Sequence, residues 1–425
     1  MFPGKRLIIC LDGTGNSAIE DAAPSLTNIY KIMAAVTKDA DGVQQVVHYD
    51  EGVGTSHQAS KIKGMLTGKG LMHNIKQAYL FLVNNYQQKK DAHDGDEIYI
   101  TGFSRGAFTA RLLAAFMAKV GILKKEHASE ISEVFDAFLQ NDEAALKHYK
   151  NEKYFLDIGE NKKFIDFLGV FDTVPAMGKQ GEDDDPEYGV DKIKQLPSVV
   201  KKARHALSAH ERRDNFLLDK WESTDGQDSQ QVFFTGDHSD VGGGNKHTEK
   251  EKRLSNIPLR WMLRESGLDY NLDAVGVPDL TKKQELTVDN AEYMGKIHDQ
   301  SEMEDNTLAP AYKLLGTFSR HVCDKDSPVE HDRTRKSAWF GEHSAFRFPF
   351  FWAEGGLHAH SPYTGSIQVP CDAAERRDLF LHPTLIKRIN EHFGDCPRGL
   401  DMTILERKEV FSEDNRDRLR SLLKP

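Results

Sequence analysis

The sequence predicts an α/β fold: a mostly parallel sheet flanked by helices. Three observations point to it. Short apolar runs alternate with segments of helical spacing through the first 265 residues. Those runs are nearly continuous, as strands are when helices cover both faces of a sheet. One run passes through a glycine-bounded turn straight into an apolar helix.

The elements follow in order. RLIICLDG (6–13) is an apolar run ending in Asp-Gly and reads as a buried strand. Residues 25–37 have helical spacing, with Ser25 placed to cap them. VQQVVHYDEG (43–52) is a second strand, and 71–86 an amphipathic helix. DEIYITGFSRG (96–106) is a third strand that runs into a tight turn, and 107–121 is an apolar helix closed by a glycine. The segment 123–160 is polar and helical in pattern, and reads as an insertion. KFIDFLGVFDTV (163–174) and QQVFFTGDHSDVGGG (230–244) give the fourth and fifth strands. Between them the charged stretch 178–189 must be a solvated loop. A helix at 259–268 closes a core spanning 1–268. Residues 269–425 lose the alternation and are expected to form an irregular C-terminal cap, with a last helix at 383–393.

Composition narrows the function. The 425 residues carry 56 basic and 66 acidic side chains, a net charge of −10, which argues against broad nucleic-acid binding. Four scattered cysteines with no CxxC pair argue against both a disulfide scaffold and a structural zinc site. No apolar stretch approaches the roughly 20 residues of a membrane span. The first apolar run stops at Asp12, too short for a secretory signal, and no small-residue cleavage site follows. The expectation is a chain made in the cytoplasm, reaching any other compartment by a route other than general secretion.

The strongest chemical signal is GFSRG at 102–106. Gly-x-Ser-x-Gly between a strand and a helix is the pattern of a nucleophile elbow, which makes the core α/β-hydrolase-like. The glycines avoid collisions with the neighbouring strand and helix, and Ser104 is the predicted nucleophile. The amide of Arg105 is then placed to bind an oxyanion. Ser104 needs a base and the base an orienting acid, both expected past the carboxyl ends of other strands. Asp172, ending the fourth strand, and His238, after the fifth, supply them in the order Ser, Asp, His. Two alternatives stay open: Asp240 as the acid, and a later histidine, His382 above all, as the base. DGTGN after the first strand offers backbone amides of Gly13, Thr14 and Gly15 as further oxyanion donors. A phosphate-binding loop, or a plain turn held by the Asp12 side chain, uses the same residues.

Other motifs give less. GMLTGKG (64–70) fails as a P-loop, because its glycine spacing is one residue short and Gly70 follows Lys69. Asp12, Asp237, His238 and Asp240 could form an oxygen-rich metal site, the basis of a rival metal-dependent phosphoesterase reading. A non-catalytic ligand-binding module is the third reading. Acidic 182–187 could take calcium, although a solvated charge run explains it as well. Residues 339–352 hold seven aromatics in fourteen positions, which suits either a buried capping subdomain or a lid touching lipid. Net acidity opposes docking on anionic lipid, so such contact would be local, apolar and peripheral.

The successive blocks LIICLDGTGN, TGFSRGAFTARLLA, GVFDTVPAMG, RHALSAHERRDNF, FFTGDHSDVGGGN and LSNIPLRWML span about residues 6–265. Together they resemble an α/β-hydrolase family, long labelled an uncharacterised domain, that includes the type VI secretion phospholipase effectors. The resemblance implies a Ser-Asp-His hydrolase of phospholipid acyl esters that needs no cofactor. It also implies delivery to the periplasm of a competing bacterium, with a secretion-machinery component and a cognate immunity protein as partners. Ser104, Asp172 and His238 fall on the matching blocks. The chain departs mildly from the family pattern at GDHSD, where valine-histidine is commoner, and at GVFDTV, where tryptophan is.

Overall fold

The computed structural model describes residues 4–13, 26–40, 42–52, 68–88, 95–158, 162–174, 191–211, 219–224, 226–245, 253–281, 284, 292–298, 379–382, 384–385 and 387–388. Eight strands form one sheet: β1 (Arg6–Leu11), β2 (Asp39–Ala40), β3 (Val43–Asp50), β4 (Glu97–Phe103), β5 (Ile165–Phe171), β6 (Val200–Ser208), β7 (Asp228–Phe234) and β8 (Leu379–Leu381). Their spatial order is β2-β3-β1-β4-β5-β6-β7-β8. All neighbours pair in parallel except the two-residue edge strand β2, which is antiparallel to β3. The α/β prediction therefore holds.

Helices cover both faces. They are α1 (Asn28–Ala35), α2 (Gly68–Asn85), α3 (Arg105–Val120), α4 (Ile131–Leu139), α5 (Glu143–Asn151), the one-turn α6 (His238–Gly242) and α7 (Asn256–Ser266). The period-two alternation of a strand splits the core in two. Leu7, Ile9 and Leu11 of β1 pack with Ile98 and Ile100 of β4 and with α2 and α3. Ile8 and Cys10 point the other way, to Phe103, Phe167, Phe171, α1 and α7. The insertion expected at 123–160 is the α4–α5 pair, whose Phe135 and Phe138 join the first cluster. Asp142 caps α5 by accepting from Ala145 N at 3.0 Å.

Two departures have simple physical causes. The cap of α1 is Thr27, whose hydroxyl accepts from Tyr30 N, and not Ser25, which lies outside the described residues. Strand β6 is absent from the sequence reading because Lys201, Lys202, Arg204 and His205 break its apolar run. Three of these four polar side chains find charged partners. Lys201 reaches Asp166, Lys202 reaches Glu265, and Arg204 binds Glu265 and Asp228 at 2.8 Å each. Burial pushes the Glu265 carboxyl up, but the hydrogen bonds and charges of Arg204 and Lys202 outweigh it and hold it below its ordinary value. His205, fully buried, bonds the Thr173 hydroxyl at 3.1 Å.

The stretch expected as an accessory region contributes β8 to this same sheet. Residues 339–352 and 182–187, and most of the helix expected at 383–393, lie outside the described residues.

One buried charge carries a cost. Lys31 of α1 is 1% exposed. Burial lowers its pKa to about 7, Arg253 adds to the lowering and Glu292 opposes it. An unfolded lysine titrates near 10.4. Between about pH 7 and 10 the unfolded chain binds more protons, so stability rises with pH across that window. Below it the full cost is present. Lys31→Met is expected to raise the melting temperature at pH 7, with the gain shrinking toward pH 10; scanning calorimetry at both values checks this.

Candidate active site

The order of the strands positions the site. After β1 the chain turns to β3 on one side, then returns to β4 on the other. The strand order thus reverses between β1 and β4, and sheets of this kind bind ligands at such a point, outside the carboxyl ends of the strands. DG at 12–13 leaves β1 there, and Ser104 leaves β4.

Ser104 sits between β4 and α3 with φ 58° and ψ −124°. A non-glycine residue in that region carries about 1–3 kcal/mol of strain, tolerated only where its surroundings fix it. They do so here. Ser104 N donates to Phe171 O at 3.1 Å, and Ser104 O accepts from Ala107, Phe108 and Val174 amides at 3.1–3.2 Å. The flanking glycines are sterically required. A Cβ on Gly102 would lie 2.3 Å from Gly106 O, and one on Gly106 would lie 2.1 Å from Leu11 O. Gly106→Ala is expected to destabilise the fold by about 3 kcal/mol, because a backbone carbonyl cannot move aside as a side chain can. Urea denaturation against the parent measures it. Arg105 opens α3, where the first amides have no carbonyl partner within the helix.

Asp172 follows β5 at φ 40°, a second strained residue at the same edge. Its Oδ2 lies 2.7 Å from His238 Nδ1, and its Oδ1 accepts from Ser208 N at 2.9 Å. Facing a carboxylate, Nδ1 carries the proton. Asp172 is fully buried and His238 is 4% exposed. The His238 ring packs tilted against the ring of Phe103, the residue before Ser104, with centroids 4.5 Å apart. Helix α6 comes this close because Gly242 has no side chain: a Cβ there would meet the Phe103 ring at 1.9 Å.

The last residue of β6 and the turn after it grip both members of this pair, a role the sequence does not suggest. Ser208 N holds Asp172, while buried Glu211 accepts from His238 N at 3.1 Å. Glu211 N in turn donates to Ser208 Oγ, and Ser208 Oγ to Gly236 O. These residues lie inside the block RHALSAHERRDNF, but no local spacing reveals a contact with a residue 27 positions on.

Of the readings offered for the β1 loop, the described residues show the turn. Asp12 Oδ1 accepts from Gly13 N at 2.7 Å, and Oδ2 takes the Thr27 and Tyr49 hydroxyls. This is a turn held by its own aspartate. The Gly13 amide, one of the expected oxyanion donors, is thereby committed to Asp12; Thr14 and Gly15 lie outside the described residues.

The alternative residues have these surroundings. Asp240 forms a reciprocal cap with Asp237 at the start of α6 and binds His298 Nδ1 at 2.6 Å. His382 follows β8, four strands from β4, or about 19 Å at the usual strand spacing. Its Nδ1 bonds the Thr384 hydroxyl at 2.8 Å and its ring stacks on Phe234. The four side chains of the metal reading are also separated in their commitments: Asp12 to its own turn, Asp237 and Asp240 to each other's amides, His238 to Asp172. Among the described residues no three His, Cys, Asp or Glu side chains are gathered as a metal would require.

A parallel α/β sheet with a strained serine elbow and a buried Asp–His pair at its carboxyl edge defines an α/β-hydrolase-like protein. The family model described as the type VI secretion phospholipase effector Tle1-like catalytic domain matches residues 5–265, and the chain belongs to that family. It is 30% identical over 236 residues to an uncharacterized protein of Saccharomyces cerevisiae, covering 50% of this chain and 32% of the yeast protein. Among solved structures, it is similar to a Tle1 effector bound to the VgrG spike of the type VI secretion system. That match has 22% identity, 58% of this chain, 52% of the effector chain and a TM-score of 0.34. A second is an uncharacterized protein from Pseudomonas aeruginosa, with 16% identity, 99% and 60% coverage and a TM-score of 0.39. The chain thus spans about a third of the yeast relative and about half of the effector.

Proposed function

We propose that the chain is a serine carboxylic-ester hydrolase that cleaves acyl esters of phospholipids. The observation that carries this reading is the buried 2.7 Å contact between His238 Nδ1 and Asp172 Oδ2 beside the Ser104 elbow. With Nδ1 committed to Asp172, Nε2 is the nitrogen that takes the Ser104 proton as Oγ attacks the acyl carbonyl. The amides of Arg105 and Thr14 hold the oxyanion. His238 then protonates the departing alcohol, and afterwards activates the water that releases the fatty acid. No step needs a metal or cofactor.

Membership of the Tle1-like family supports phospholipid as the substrate class. It also supports work as an antibacterial effector, with the type VI spike as carrier, a cognate immunity protein in the producer and the target cell's periplasm as the place of action. Among the described residues no helix is long and apolar enough to cross a membrane.

The test uses phosphatidylcholine vesicles in chelator-containing buffer. Free fatty acid and lysolipid are the expected products. Release of a phosphorylated headgroup, or loss of all activity on chelation, would instead support the phosphoesterase reading.

A further inference from the structure

Beyond the 5–265 match lies a residue that grips the loop carrying His238. His298 binds Asp240 with two groups at once: its backbone N donates to Oδ2 at 2.9 Å, and its Nδ1 bonds Oδ1 at 2.6 Å. Both residues are buried, at 5% and 1% exposure. Asp240 also accepts from Asp237 N at 3.1 Å and Asn245 Nδ2 at 2.9 Å. Four donors thus converge on one carboxylate two residues from His238, and two of them belong to a residue 58 positions later. The segment bearing His298 is itself held, since the Arg388 guanidinium donates to Tyr293 O and Gly295 O at 2.9 and 2.6 Å.

A five-residue helix has too few internal hydrogen bonds to fix its own orientation. Helix α6 is instead set by its surroundings: Phe103 below Gly242, Glu211 on the His238 amide, and the Asp240–His298 contact. Of these three, the last comes from beyond the matched residues 5–265.

We propose that His298 is a positioning residue for the hydrolytic site, clamping Asp240 so that α6 presents the His238 ring to Ser104. The assignment rests on the serine-hydrolase reading above and extends it: the stretch after residue 265 completes the active site, and is not only a cap over it. It also separates the two buried His–carboxylate pairs by role. Asp172–His238 adjoins the elbow through Phe103, whereas Asp240–His298 acts through the backbone of α6.

The experiment compares the full chain with His298→Ala and His298→Asn. An asparagine amide can donate from nearly the place of Nδ1, whereas alanine cannot. The readouts are kcat and KM on a soluble ester, together with hydrogen exchange of the 236–245 segment. His298→Ala is expected to lower kcat by roughly ten- to a hundredfold, the usual effect of misplacing a catalytic group by an ångström, with KM nearly unchanged. Exchange of 236–245 should rise in the same variant. His298→Asn should recover most of both. An alanine variant with parental kcat and parental exchange overturns the proposal, as does an asparagine variant no better than alanine. If alanine does not fold, asparagine alone decides: near-parental kcat supports the clamp and a large loss refutes it. A parent chain that hydrolyses no ester refutes the hydrolase reading instead, and exchange then still reports on the clamp.

Discussion

Ser104→Ala is expected to lower ester hydrolysis by at least about four orders of magnitude while leaving the fold intact. The size follows from the role: without Oγ no acyl-enzyme forms, and only substrate binding and oxyanion stabilisation remain. The fold should survive because the elbow is held by backbone. Ser104 donates its N–H to Phe171 O and accepts three amides at its carbonyl, and none of these contacts involves the hydroxyl. Alanine at φ 58° is as strained as serine, so the two chains should melt within a degree or two. Kinetics on a chromogenic ester, paired with thermal melting, separate loss of chemistry from loss of structure.

Asp172→Asn should produce the second largest effect, about a 10⁴-fold fall in kcat with little change in KM. The geometry explains why so small a change matters. Ser208 N donates to Oδ1, so an asparagine there keeps its oxygen toward Ser208 and turns its NH2 group to His238. Nδ1 must then accept instead of donate. The ring proton moves to Nε2, and the base can no longer take the proton of Ser104. A steady-state comparison of kcat and KM checks the prediction; a loss confined to KM would mean that Asp172 serves binding instead of proton transfer.

What the sequence revealed and what it hid divide along one physical line. Features set by local chain geometry were legible. The elbow follows from two glycines around a serine between an apolar strand and an apolar helix, and the alternation of runs follows from a sheet covered on both faces. Asp172 and His238 stand out in the sequence because both follow strand ends, where an open sheet gathers its functional side chains. Features set by long-range pairing were hidden. Strand β6 looks too charged to be buried until Glu265, Asp228 and Asp166 appear beside it. Glu211 reads as one charge among many in HERRD until it meets the His238 amide. His298 falls in a stretch without visible pattern, and only its bidentate hold on Asp240 gives it a role. The Asp12 turn lies between these extremes. Its type could be read from DGTG, but the commitment of the Gly13 amide to the Asp12 carboxylate could not.

On the reading proposed above, one hydroxyl, Ser104 Oγ, is activated by the Asp172–His238 pair. Labelling with a fluorophosphonate probe, followed by mass spectrometry of the tryptic peptides, tests it most directly. A single stoichiometric adduct on Ser104 is expected, absent in Ser104→Ala, slowed at least about a hundredfold in His238→Ala and unchanged in His382→Ala. An adduct that persists in Ser104→Ala, or a parent chain that hydrolyses ester without being labelled, would contradict it.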